Sequence, residues 1–197
     1  TSFGKGWMYP FQIDTTTQPP QAAIWRLPFQ FAAGIQRLRV NPADGQVYTV
    51  GLSGWQGPDG GADGCLQRVR YVGGGAPILV AAKAMNQGVE LEFSAALDAK
   101  SATDLKRYQV RRWNYLWSRN YGSAHYSVSD PGTEGEDSVA ITGVELSSDG
   151  KRVYVKLESM VPCHQLQLNF QLDSRSGIEM KDRALFTIHQ VPVAKEE

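Results

Sequence analysis

The sequence predicts an all-β chain: an antiparallel β-meander followed by a β-sandwich. Three observations carry this. Short runs rich in Val, Ile, Leu, Tyr and Phe recur throughout, with 20 glycines and 10 prolines between them as punctuation. No window of about 12 residues holds a helical apolar period with caps. The composition breaks at Gly73-Gly74-Gly75-Ala76-Pro77, a hinge-like stretch that leaves about 75 residues before it and about 120 after it. The longer part has the size of an immunoglobulin-like sandwich.

Before the break, strands are expected over residues 7–13, 23–27, 35–40, 47–52 and 66–71. After it they are expected over 78–84, 88–93, 108–117, 139–146, 152–157, 165–170 and 184–191. Turn chemistry separates them. Asp44-Gly45 and Asp149-Gly150 can each supply a positive φ, and Asn86-Gln87 leads into Gly88. A single helical turn is expected over 98–105. The 197 residues are enough to bury roughly 70% of the unfolded surface, so the core needs no staples.

Charge narrows the function. The chain carries 20 basic and 20 acidic residues, a balance unlike the basic excess of a nucleic-acid binder. No window approaches the ~20 apolar residues of a membrane span. The chain opens on Thr1 without a signal peptide, so a processed protein, an excised domain or part of something longer is expected. Cys65 and Cys163 leave open one disulfide or two free thiols.

The richest segment is 107–130, where Trp113, Tyr115, Trp117, Tyr121 and Tyr126 stand among Arg111, Arg112, Arg119 and His125. Trp113, Tyr115 and Trp117 alternate, a spacing that on a strand puts three rings on one face. Such a row is a packed interior, a protein-docking surface rich in the Trp, Tyr and Arg of hot spots, or a stacking platform for a sugar. The other constellations are weaker. Asp59 and Asp63 in the 57–64 loop lack the alternating acids and final Glu of a calcium loop, so a solvated turn is expected. The acidic stretch 127–137 reads as a mobile surface loop. His125, His164 and His189 share no metal-ligand spacing, and His189 reads as a structural, hydrogen-bonded histidine. Cys163 and His164 are adjacent, so on a strand they face opposite ways. No nucleophile elbow, paired catalytic carboxylates or phosphate loop is singled out.

Two runs carry a resemblance. The first is Gly34-Ile-Gln-Arg-Leu-Arg-Val-Asn-Pro-Ala-Asp-Gly-Gln-Val-Tyr48, followed by Val50-Gly-Leu-Ser-Gly-Trp55 and Gly64-Cys-Leu-Gln-Arg-Val-Arg-Tyr71. It resembles the last blade of a propeller of the soluble glucose/sorbosone dehydrogenase type. The second, Trp113-Asn-Tyr-Leu-Trp117 with Asn120-Tyr-Gly-Ser123, His125-Tyr126 and Thr187-Ile-His189, is similar to the immunoglobulin-like domain that follows such a propeller. The parent proteins are large, secreted, haem-domain-containing dehydrogenase-like proteins of planctomycetes and verrucomicrobia. The resemblance implies a blade-like segment over 1–75, an immunoglobulin-like sandwich over 76–193 and a polar tail over 194–197. It also implies an extracytoplasmic location, periplasmic or cell-surface. It transfers no catalytic, quinone or calcium residue, and the haem motif is missing because Met160 stands where its first Cys would be.

The resulting expectation is a non-catalytic accessory or assembly module, without a cofactor, that holds a protein partner. Its binding residues would be Arg112, Trp113, Tyr115, Trp117, Arg119, Tyr121, His125 and Tyr126. The alternatives are carbohydrate binding through the same rings, or a fragment of a quinone-dependent sugar dehydrogenase-like protein.

Overall fold

The computed structural model describes residues 1–53, 61–72 and 76–193. The chain is nearly all β, in antiparallel sheets. It divides into two compact units, Thr1–Pro10 with Arg26–Gly74, and Phe11–Trp25 with Gly75–Glu197. The polar tail, the glycine hinge 73–75, Asp59 and Trp55 lie outside the described residues.

In chain order the strands are β1 (Phe11–Asp14), β2 (Gln21–Trp25), β3 (Ile35–Val40), β4 (Val47–Leu52), β5 (Gly64–Val69), β6 (Leu79–Met85) and β7 (Gly88–Phe93). Helix α1 (Ala99–Thr103) and a 3-10 turn (Leu105–Arg107) follow. Then come β8 (Tyr108–Trp113), β9 (Asp137–Val139), β10 (Ile141–Leu146), β11 (Arg152–Leu157), β12 (Cys163–Asp173) and β13 (Glu179–Ile188).

The first unit is the meander β3-β4-β5. Its turn after β3 uses Gly45 at φ +66°, the left-handed backbone that glycine adopts freely. Phe31, Ala33, Ile35 and Thr49 form its small interior.

The second unit is a two-layer sandwich. One sheet runs β1-β2-β13-β12-β8-β9 and the other β10-β11-β7-β6. Alternation builds the core. Val89, Leu91 and Phe93 of β7 and Val153, Val155 and Leu157 of β11 point inward from one sheet. Leu166, Leu168, Phe170 and Leu172 of β12 meet them from the other, with Phe170 edge-on to Phe93 at 5.7 Å between centroids. A bulge between Cys163 and Leu166 shifts the alternation by one, which lets both side chains face the core. Where β7 meets β11, an added Cβ on Gly88 would lie 2.0 Å from the Val155 carbonyl oxygen, so only glycine allows that approach.

The structure corrects four boundaries. The hairpin β1-β2 belongs to the sandwich, not to the 1–75 segment. The expected strand 7–13 breaks at Pro10: Trp7 bridges to Gln30 in the first unit, while Phe11–Asp14 pairs with β2. β2 joins β13, buries Ala23 and Trp25, and donates from Trp25 Nε1 to the Leu79 carbonyl at 2.7 Å. The expected strand 139–146 is two strands, since the chain crosses from one sheet to the other at Ala140. The expected strand 108–117 stops at Trp113. The helical turn is α1, whose first amides are met by Asp98 accepting from Ser101 N–H at 2.8 Å.

Both cysteines are free thiols. Cys163 is 3% exposed, and burial pushes its thiol up to about 11. Cys65 is only half-buried. Native protein is therefore expected to take one maleimide label and unfolded protein two, read by intact mass. Two labels on the native chain would contradict the packing around Cys163. Among the described residues no helix is long and apolar enough to cross a membrane.

Candidate functional site

The aromatic segment lies at the end of the sandwich where β8 stops and β12 begins. β8 leaves the ladder because its next groups find partners outside it. Asn114 pairs with Tyr126, N–H to carbonyl in both directions at 2.8 and 2.9 Å. Tyr115 N–H donates to His164 Nδ1 at 2.9 Å, and His164 N–H donates to Asn114 Oδ1 at 2.9 Å. Leu116 N–H donates to Ser123 Oγ at 2.9 Å, and that hydroxyl donates to the Ala124 carbonyl at 2.7 Å. The loop between Asn114 and Ala124 is thus tied at its base by backbone groups that would otherwise continue a strand.

This ending separates the three alternating rings. Trp113 is buried, 4% exposed, while Tyr115 is 37% exposed and Trp117 fully exposed. They form no common face, and the expected row of three rings on one strand face is corrected accordingly. Trp113 stacks instead on His125, centroids 4.3 Å apart and planes 16° from parallel. Tyr115 stands edge-on to both rings and lies parallel to His164 at 6.2 Å. Trp113, Tyr115, His125 and His164 are one four-ring cluster, with Trp113 as its inner wall.

Charge fixes the cluster from one side. Glu136 meets His125 Nδ1 at 2.7 Å through one oxygen and Arg111 at 3.2 Å through the other. The hydrogen bond to His125 holds the Glu136 carboxyl below its ordinary 4.5, with Arg111 adding to the effect against partial burial. A group whose native value is depressed stabilises the fold above its unfolded value and loses that contribution as pH falls through the native one. Glu136→Gln is therefore expected to melt lower than the parent at pH 7, with the gap closing once the pH is well below 4.5. A gap that widens in acid would contradict this pairing.

Where Arg112 of β8 stands opposite Asp137 of β9, a further ion pair forms. Arg112 Nε lies 3.6 Å from Asp137 Oδ2, and each side chain is only 12% exposed. Asp137 also accepts from Ser127 Oγ at 2.6 Å and from the Val128 and Ser129 amides at 3.1 and 2.8 Å. Burial works to raise this carboxyl, but the hydrogen bonds outweigh it and hold it below its ordinary range. Arg112 reaches on to Ser159, donating to its carbonyl at 3.3 Å and its hydroxyl at 3.1 Å. The acidic stretch 127–137 is consequently folded onto the sandwich rather than loose: Tyr126 bridges Glu134, and Ser127 N–H donates to the Thr133 carbonyl at 2.9 Å.

The eight expected site residues divide into two groups. Arg112 and Trp113 lie largely inside the structure, with His125 and Tyr126 half-buried beside them. Trp117, Arg119 and Tyr121 project from the loop, with Tyr115 at the border. Sequence reasoning missed Asn114, Ser123, Glu136, Asp137 and His164, which anchor the loop. Their signal was faint: the polar residues flank the rings, but His164 stands 49 positions from the Tyr115 amide that it accepts from. Cys163 and His164 face opposite ways, the thiol into the core and the imidazole to Tyr115. His189 is exposed, and its backbone N–H donates to Gln21 Oε1 at 3.1 Å.

Chemically the arrangement is a clamp with a bare tip. His125 and Glu136 are committed to each other, and among the described residues no three His, Cys, Asp or Glu side chains converge as a metal site would require. No family model matches the chain, and no curated protein or solved structure was found similar to it.

Proposed function

We propose that this chain is a docking module that holds a protein partner through the tip of the 114–124 loop. The observation that carries the reading is the contrast within one segment. Trp117 and Tyr121 are fully exposed, at 103% and 109%, and Leu116 is 48% exposed. The residues on either side are pinned by Asn114, His164 and Ser123. A large ring held in water is costly to hydration and is the kind of anchor that dominates binding energy once a partner covers it. The fixed base limits the ordering that binding requires. Arg119, exposed between the two rings, supplies charge at the rim.

The strand orders favour an immunoglobulin-like reading of the sandwich. Counted from β6, they run as A-B-E-D in one sheet and G-F-C-C′ in the other, with β1-β2 added beside G. On this reading the docking loop joins C to C′. Together with the resemblance of the meander to a propeller blade, this strand order supports reading the module as part of an extracytoplasmic assembly or parent polypeptide. Carbohydrate binding is the weaker reading because Trp113, its innermost ring, is buried.

The test is the size of the native assembly. In native extract the parent chain should run well above its own 21.7 kDa, and Trp117→Ala/Tyr121→Ala should run nearer to it with an unchanged melt. A parent chain that runs as a free monomer overturns the proposal.

A further inference from the structure

A second surface lies in the first unit, on the side of the meander turned away from Phe31 and Ala33. Register places its residues in rows across the three strands. Arg37, Val50 and Leu66 are opposite one another in one row, and Arg39, Tyr48 and Arg68 in the next. Alternation leaves Thr49 and Gln67 on the other side: Thr49 is fully buried, and Gln67 accepts from the Ala32 amide at 2.7 Å. The rows themselves are bare. Val50 is 46% exposed and Leu66 73%, and all three arginines are exposed.

We propose that this face docks an acidic polypeptide segment in extended conformation. Three features choose that occupant. First, the positive charge is unmet. Arg37 and Arg39 donate to the neighbouring Gln36 and Leu38 carbonyls, and among the described residues none of the three guanidiniums makes an ion pair. Asp44 is near Arg68, but it already accepts from Tyr48 Oη at 2.8 Å and from the Gln46 amide at 3.0 Å. Like charges sharing one sheet face repel, and carboxylates from outside relieve that repulsion. Second, Arg37 and Arg39 are two residues apart on one strand face. Their spacing of about 6.8 Å equals the repeat of alternate side chains in any other extended strand. Carboxylates at alternate positions of a partner therefore meet both. Third, Val50 and Leu66 lie beside the arginines in the same row, so the partner presents apolar side chains as well as acids. A nucleic acid or sulfated glycan would satisfy the charge and leave these two side chains in water.

The surface is separate from the aromatic loop and stands or falls independently of it. The test uses the full chain and a fluorescein-labelled synthetic peptide of alternating Glu and Val, with an alternating Lys and Val peptide and a heparin oligosaccharide as comparisons. Fluorescence anisotropy should show binding of the Glu peptide alone, weakening as salt is raised. Arg37→Glu/Arg39→Glu and Leu66→Ser should each weaken it about tenfold or more, with melts unchanged. Trp117→Ala/Tyr121→Ala should leave it intact. Equal binding of the Lys peptide, or no binding of the Glu peptide, overturns the proposal. Tight heparin binding with Leu66→Ser neutral toward both ligands also overturns it, in favour of a general polyanion surface.

Discussion

Trp113→Ala is expected to cost about 3–5 kcal/mol of stability, while Trp117→Ala, four positions on, costs less than about 0.5 kcal/mol. The difference follows from where each ring lies. Trp113 is 4% exposed and is the wall on which His125 stacks and Tyr115 abuts, so truncation opens a cavity under the cluster and frees the base of the loop. Trp117 is fully exposed and has nothing to lose on truncation. Trp113→Phe refines the point. The indole Nε1 is buried and has no hydrogen-bond partner among the described residues, so phenylalanine removes an unmet donor while keeping a ring against His125, and it should cost less than alanine. Urea melts of the three variants, followed by far-ultraviolet circular dichroism, check the order. Equal losses at 113 and 117 would contradict the division of the segment.

Asp137→Ala is the second large effect, at about 3 kcal/mol. The substitution removes the partner of a little-exposed guanidinium and the acceptor of three hydrogen bonds in one step. Among the described residues Arg112 is left with Ser159 to satisfy it, beside the buried Cys163 thiol. The turn at Ser127–Ser129 loses what closes it, so the strand-like pairing of Tyr126 with Asn114 should loosen as well. Asp137→Asn keeps one carbonyl acceptor and should fall between the parent and alanine. Denaturant melts at pH 7 read the stability, and amide exchange at Tyr126 and Ser127 reads the loosening. A loss below about 1 kcal/mol would show that the pair contributes no more than an exposed one.

Much of the sandwich was legible because its strands obey a local rule. Val153, Val155 and Leu157, or Leu166, Leu168 and Phe170, alternate with polar residues, and period two marks a half-buried strand wherever it occurs. What the rule does not carry is the partner of a strand. Nothing within residues 11–25 says that they add to β13, more than 150 positions away, and the break at Pro10 matters only once that pairing exists. The crossing at Ala140 was hidden for a related reason: Val139 and Ile141 are both apolar, so the run continues in sequence while the chain changes sheets.

The site was half legible. The rings and arginines announced themselves, but their roles depended on where β8 ends. Alternation read Trp113, Tyr115 and Trp117 as equals on one strand. Asn114 and His164 end that strand through side-chain bonds to backbone amides about 50 positions away, a choice that no propensity encodes. The bulge at the start of β12 likewise sets Cys163 inward and His164 outward. Three residues that look alike in sequence therefore become a core ring, a border ring and an exposed ring.

The central claim is that the loop tip, rather than the sandwich as a whole, meets the partner. A photo-crosslinking amino acid placed in turn at positions 117, 121 and 145 of the intact chain in its native cells tests it most directly. Glu145 is exposed on β10, outside the loop, and serves as the reference. The account predicts the same discrete protein adduct from 117 and 121 and none from 145. No adduct from the loop, or the same pattern from all three positions, would contradict it.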